Sequence, residues 1–259
     1  MVDIQTMGLD PPLSFMTAPP DIEEFAHTRF REPRNLPYQN APAYKSSIYY
    51  WWWAFLKRNK AYSRICRQKG RGRLAQIYKD FGNIYDISFL EWWQSHKALF
   101  AEQPSLVERQ HNIPLDDGLL YRIDPRKSFN QIQEEIREIH LRAHAIMPAC
   151  DRKPVSSAKY PIYTNVSAHT LHRVLHIWDH KQQQPQLGAY ELGLLAGLKP
   201  NLLPLPVHGE TRTRRALDVS AHNKRARISI ANQANRYLRT AAQYIDNVGL
   251  GIFPKTDRR

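Results

Sequence analysis

Proline decides where this chain can be helical, because it lacks a backbone donor and its ring clashes with the preceding turn. Seven of the eighteen prolines (Pro11, Pro12, Pro19, Pro20, Pro33, Pro37 and Pro42) fall within the first 43 residues. Prolines that dense forbid a helix and remove ladder donors, so 1–43 reads as an extended arm. Further along, Pro148 must end any helix that reaches it. Pro154 and Pro161, with Asp151, Ser156 and Ser157, mark a polar linker over 149–164, and Pro200, Pro204 and Pro206 enforce a loop. Two helical domains are expected between these breaks, at 44–148 and 165–259.

Within them the apolar residues recur at spacings of three and four, the period of a helix with one buried face. Ile48, Trp52, Phe55, Tyr62 and Cys66 predict one helix over about 44–67, broken by Lys69-Gly70-Arg71-Gly72-Arg73. A short helix is expected over 74–81 and another over 89–100, where Ser88 and Glu91 have the spacing of a capping box. Ser128 and Gln131 repeat that signal ahead of Phe129, Ile132, Ile136, Ile139, Ala143 and Ile146. A small β-hairpin is expected from 119–123 pairing with 105–109. After the linker, helices are predicted over 167–181, 188–198 and roughly 213–248. The last has Ile230, Ala234, Leu238, Ala241, Ile245 and Val248 on its inner seam, and Gly249 and Gly251 stand where helices commonly stop. The fold class is mainly α, and hydrophobic residues at 42% suffice for a real core.

The charge is lopsided: 37 Lys and Arg against 24 Asp and Glu leave a formal net charge of +13. A surplus of that size favours polyanionic partners. Cys66 and Cys150 are the only cysteines, which excludes a disulfide scaffold or a Cys-rich zinc site and suits a reducing compartment. No apolar run approaches a membrane span and no leader pattern opens the chain, so no membrane partner is expected and the bacterial cytoplasm is the expected location.

The surplus concentrates in two places. Residues 41–79 carry Lys45, Lys57, Arg58, Lys60, Arg64, Arg67, Lys69, Arg71, Arg73 and Lys79 with no Asp or Glu. If the aromatics point inward, Lys57, Arg58, Arg64, Arg71 and Arg73 face outward as candidate phosphate contacts, and Arg71-Gly72-Arg73 has the chemistry of a minor-groove insert. Residues 201–259 hold eleven Lys or Arg against four Asp or Glu. Here Asn232, Asn235, Arg236 and Arg239 share a face opposite the apolar seam. Asn pairs bidentately with adenine and Arg with guanine, which makes these four the candidate base contacts. Arg214, Arg215, Lys224, Arg225 and Arg227 suit phosphates, which position a protein without specifying sequence. The plain alternatives are a solvated helix face and a flexible basic loop.

The order of a Leu171–Trp178 helix, a short Glu191–Leu195 helix and a later basic helix resembles a helix-turn-helix layout, although a long Pro-rich insertion separates the last two. Trp51-Trp52-Trp53-Ala54-Phe55-Leu56-Lys57-Arg58-Asn59, Phe81-Gly82-Asn83, Phe89-Leu90-Glu91-Trp92-Trp93, Asn235-Arg236-Tyr237-Leu238-Arg239 and Asn247-Val248-Gly249 resemble segments of poorly characterised bacterial proteins of phages, plasmids and integrated elements, some labelled transcriptional-regulator-like. The resemblance supplies no catalytic residues. It implies a DNA-binding regulator or accessory factor of a mobile element, with RNA left open as a ligand and the N-terminal domain free for a protein partner.

Two other classes compete. A Trp-rich surface would suit a structural or adaptor subunit, since aromatics anchor interfaces. His172, His176 and His180, four residues apart with Asp179 beside them, have the spacing that chelates a metal on one helix face, as do His140 and His144. No HExxH accompanies them, and no nucleotide loop or nucleophile elbow exists. No enzymatic reaction and no cofactor is therefore expected, and plain surface histidines are the commoner case.

Overall fold

A computed structural model describes residues 13–22, 41–102, 126–146, 156–204 and 214–257, without the side chains of 142–146. The chain is mainly α, and its helices begin where local chemistry starts them. Ser47 caps α1, Ile48–Leu56, by accepting from the Tyr49 amide, after a turn of 3-10 helix at Ala43–Ser46. Asn59 caps α2, Lys60–Arg67, by accepting from Tyr62. The single helix expected over 44–67 is thus two helices, because Asn59 turns the chain between them. After α3, Ala75–Phe81, the expected capping box forms at α4, Phe89–His96: the Glu91 amide donates to Ser88 Oγ and the Ser88 amide to Glu91 Oε2. A 3-10 turn at Lys97–Leu99 completes the region predicted as helix to residue 100.

The chain divides into two compact units, one drawn from the segments up to Ala101 and from Ala158 onward, the other from Glu102–Ser157. In the second, α5, Phe129–Ile146, starts at the expected Ser128–Gln131 capping box. Of its apolar stripe, Phe129 is 76% and Ile139 40% exposed, while Ile132 and Ile136 are half-buried. The hairpin expected from 105–109 and 119–123 lies outside the described residues.

The first unit continues with α6, Ala168–Gln183, capped by Ser167; α7, Ala189–Leu195; and α8, Arg214–Val248, a helix of 35 residues. One hydrophobic core runs through it. Trp52, fully buried on α1, touches Phe253 and Tyr160 at ring-centroid distances of 5.7 and 5.8 Å, and Phe55 meets Tyr244 at 5.7 Å. Phe81, Trp92 and Phe100 join from the α3–α4 side, and Leu171, Val174, Ala241, Ile245 and Val248 from α6 and α8. Each of the larger side chains contributes about 1.5–3 kcal/mol by leaving water, and Ala241 less. The domain boundary expected at 149–164 is therefore corrected: residues on both sides of it fill one core. The Trp-rich surface is corrected as well. Trp51, Trp52, Trp92 and Trp93 are at most 3% exposed, and Trp53 is half-buried against the same core.

Helix α8 backs this unit, with α1, α6 and α7 all against it. Its inner side carries Ala216, Asn223, Ile230, Ala234, Ala241, Ile245 and Val248, which matches the seam read from the sequence apart from Leu238, which is only half-buried. Asn223 is buried in that seam because it clamps a loop: its Oδ1 accepts from the Leu203 amide at 2.8 Å and its Nδ2 donates to the Leu203 carbonyl at 2.9 Å. The long Pro-rich insertion noted in the sequence separates the last two helices of the helix-turn-helix-like layout. Helices α7 and α8 are joined through 196–213 rather than by a turn of three or four residues. Among the described residues no helix is long and apolar enough to cross a membrane.

Candidate nucleic-acid interface

A helix that buries one side must offer the other to solvent, and on α8 the two sides differ in kind. At 100° per residue, Arg225, Asn232, Arg236 and Arg239 fall within a narrow arc opposite Ile230, Ala234 and Ala241, with Asn235 at its margin. All five are exposed. From Arg225 to Arg239 the arc runs about 21 Å along the axis at 1.5 Å per residue. Part of it is concave: Arg225, Ile228, Ser229, Asn232, Gln233 and Arg236 line a hollow of about 420 Å³. Between Asp218 and Asp246 the helix has no carboxylate, while Lys224, Arg225, Arg227, Arg236 and Arg239 all lie in that interval. The nearest carboxylates of the helix, Asp218 and Asp246, stand seven residues beyond either end of the arc.

The four candidate base contacts, Asn232, Asn235, Arg236 and Arg239, are thus brought together. Among the candidate phosphate contacts on α8, Arg214, Arg215, Lys224 and Arg225 are exposed. Arg227 is turned toward α7, with its guanidinium 5.9 Å from the centre of the Tyr190 ring.

The N-terminal cations divide. Arg64, Arg71 and Arg73 are exposed. Lys57 and Arg58 are half-buried, and both already have partners within the protein. Arg58 forms a two-pronged ion pair with Asp179 at 2.7 and 3.2 Å and donates to the Ala54 carbonyl at 2.8 Å. The Lys57 ammonium lies 4.4 Å from the Trp53 ring, and burial pulls its pKa below the usual lysine range, helped by Arg58.

Arg64 and Arg73 border a cleft of about 570 Å³ whose walls come from distant parts of the chain. Arg58, Lys60, Arg64 and Arg73 supply its basic side, Ala242, Ile245 and Asp246 of α8 the opposite side, and Trp178 of α6 an apolar patch. The sequence reading missed Trp178 and Asp246 as members of a site. Residues so far apart in sequence carry no local signal of meeting.

The histidine row lies elsewhere on α6. The His172 ring stacks on His176 with centroids 5.3 Å apart and meets Trp51 edge-on at 5.8 Å. His176 and His180 join through their Nε2 atoms at 2.9 Å, which fixes one ring as donor and the other as acceptor. Burial, then His176, pulls the His172 pKa down to about 4, and burial lowers that of His176 too. Both rings are neutral near pH 7. Asp179, the carboxylate beside the row, is held by Arg58. Among the described residues no three His, Cys, Asp or Glu side chains come together as a metal site. His140 lies on α5, and the side chain of His144 is outside the described residues.

The chain matches no protein-family model, and neither the curated proteins nor the solved structures contain a significant match to it.

Proposed function

We propose that the protein binds duplex DNA and reads its sequence with the outer face of α8, as a regulator or accessory factor of a mobile element rather than as an enzyme. The observation that carries this is the exposed, carboxylate-free arc of Arg225, Asn232, Asn235, Arg236 and Arg239 on a helix whose opposite side is core. A helix with side chains is about 10–12 Å across, the width of the B-DNA major groove. Arginine presents two parallel donors to guanine O6 and N7, and asparagine one donor and one acceptor to adenine. A solvated face with no ligand has no need to exclude carboxylates over seven helical turns, since alternating charges stabilise an exposed helix better. The mobile-element context rests on the resemblance of the Trp-rich and Asn235–Arg239 segments alone.

Selection of bound duplexes from a random library at two salt concentrations tests the reading. A preferred sequence should emerge, with affinity that falls steeply with salt. Arg236→Ala with Arg239→Ala should flatten the preference, each losing about 1–3 kcal/mol of discrimination. Equal, weak binding of all duplexes by the unmodified protein would refute sequence reading.

A further inference from the structure

The cleft between α2 and the C-terminal half of α8 combines three observations. First, Lys60, Arg64 and Arg73 project into it, all exposed and, among the described residues, in no ion pair. Arg58, the fourth cation, is already neutralised by Asp179. Against the three stands one carboxylate, Asp246, so the cleft keeps a positive surplus. Second, Lys60 and Ala61 open α2, where the leading backbone amides have no acceptor in the helix. Asn59 Oδ1 takes the Tyr62 amide, and Lys60 and Ala61 both line the cleft. Third, the cleft adjoins the α8 arc: Ala242 lies three and Asp246 seven residues beyond Arg239, on the same side of the helix.

We infer that this cleft is a phosphate seat, in which Arg64, Arg73, Lys60 and the α2 amides hold the oxygens of a phosphate ester beside the α8 face. Backbone amides at a helix start and guanidinium forks are the usual donors for such an anion. The assignment of the ester to the DNA backbone rests on the reading of α8; the seat itself does not. Sequence recognition and backbone anchoring would then meet along one edge, with the acid-free N-terminal segment supplying the anchor.

Tripolyphosphate, titrated calorimetrically into the full chain at low salt, tests the seat without DNA. It should bind. Arg64→Gln with Arg73→Gln should weaken it about tenfold or more, and Lys97→Gln with Lys199→Gln, exposed cations outside the cleft and outside the α8 face, should leave it unchanged. Asp246→Asn should tighten it, a gain that mere disturbance of the fold would not produce. No binding, or equal binding by the Arg64/Arg73 variant, overturns the seat. A duplex arm then identifies the source. If the phosphate belongs to DNA, the Arg64/Arg73 variant should keep its sequence preference while the slope of log affinity against log salt becomes shallower by about 1–2. Tripolyphosphate binding that depends on Arg64 and Arg73, with an unaltered duplex slope, overturns the backbone assignment in favour of a small phosphate ester. Loss of sequence preference in the unmodified protein, with the seat intact, defeats the α8 reading alone.

Discussion

Asn59→Ala should be among the most destabilising substitutions of a polar residue in this protein. Asn59 is only 5% exposed. Its Oδ1 accepts from the Tyr62 amide at 2.8 Å and so caps α2, while its Nδ2 donates to the Ile245 carbonyl at 2.6 Å. Ile245 lies within the last turn of α8, where carbonyls have no partner along the helix. One side chain therefore closes the start of one helix and the end of another. Gly249 permits the approach, since a Cβ there would sit 2.4 Å from Asn59 Nδ2. Alanine loses about 1 kcal/mol of capping and strands a buried carbonyl at about 1–3 kcal/mol, so the expected cost is about 2–4 kcal/mol. Urea denaturation should show a lower midpoint at an unchanged slope. Asn59→Asp separates the two contributions. It keeps the capping oxygen but places a carboxylate against the Ile245 carbonyl. It should be as damaging as alanine at neutral pH and recover, relative to the unmodified protein at the same pH, once protonation supplies a donor. A change of under about 0.5 kcal/mol for Asn59→Ala, the range of an ordinary surface position, would refute the two-helix clamp.

Two further outcomes follow from close contacts. Gly193→Ala on α7 should destabilise by about 1–3 kcal/mol, because its Cβ would lie 2.5 Å from Ile230 Cγ2 on α8. Thermal melts that instead show the gain of about 1 kcal/mol expected from helix propensity would mean α7 and α8 are not so close. Stability should also fall as pH drops from about 6.5 toward 4, because His172, surrounded by His169, His176, Lys45 and Arg173, is held neutral by burial with its pKa near 4. The unfolded chain takes up this proton first, so the contribution is present above the unfolded pKa and lost below it, about 2 kcal/mol once partial exposure is discounted. His172→Phe should flatten this limb of a pH–stability curve, and an unchanged curve would mean the ring is solvated.

What the sequence made legible is what neighbouring residues decide. Ser88 with Glu91 and Ser128 with Gln131 open their helices as their spacing implies, and the period of three and four through Ile230, Ala234, Ala241, Ile245 and Val248 placed the inner side of α8. The same period concealed the break at Asn59, because Ile48, Trp52 and Phe55 on one side and Tyr62 and Cys66 on the other share a phase that a single helix would also produce. The capping spacing of Asn59 to Tyr62 was the available signal. A polar linker likewise shows only that the chain leaves regular structure. It says nothing of whether Trp52 will find Phe253, a contact across most of the chain. Arg58 looked free for the same reason: its partner, Asp179, is 121 residues away.

If α8 reads DNA as proposed, burial against the body limits how it can do so. Its inner side is committed to α1, α6 and α7, so these elements flank it and resist full entry into a groove about 8.5 Å deep. Short side chains lose most from a shallow approach. Asn232 and Asn235 can touch bases only where the helix sits deep, whereas the longer Arg236 and Arg239 reach past the phosphate rim. Asn232→Ala and Asn235→Ala should therefore disturb the sequence preference less than the arginine substitutions do. On that reading, the same standoff would give the proposed phosphate seat its use. A helix held high in the groove gains few base contacts, and a seat for the neighbouring phosphate, one or two turns beyond Arg239, would fix the register that those few contacts need.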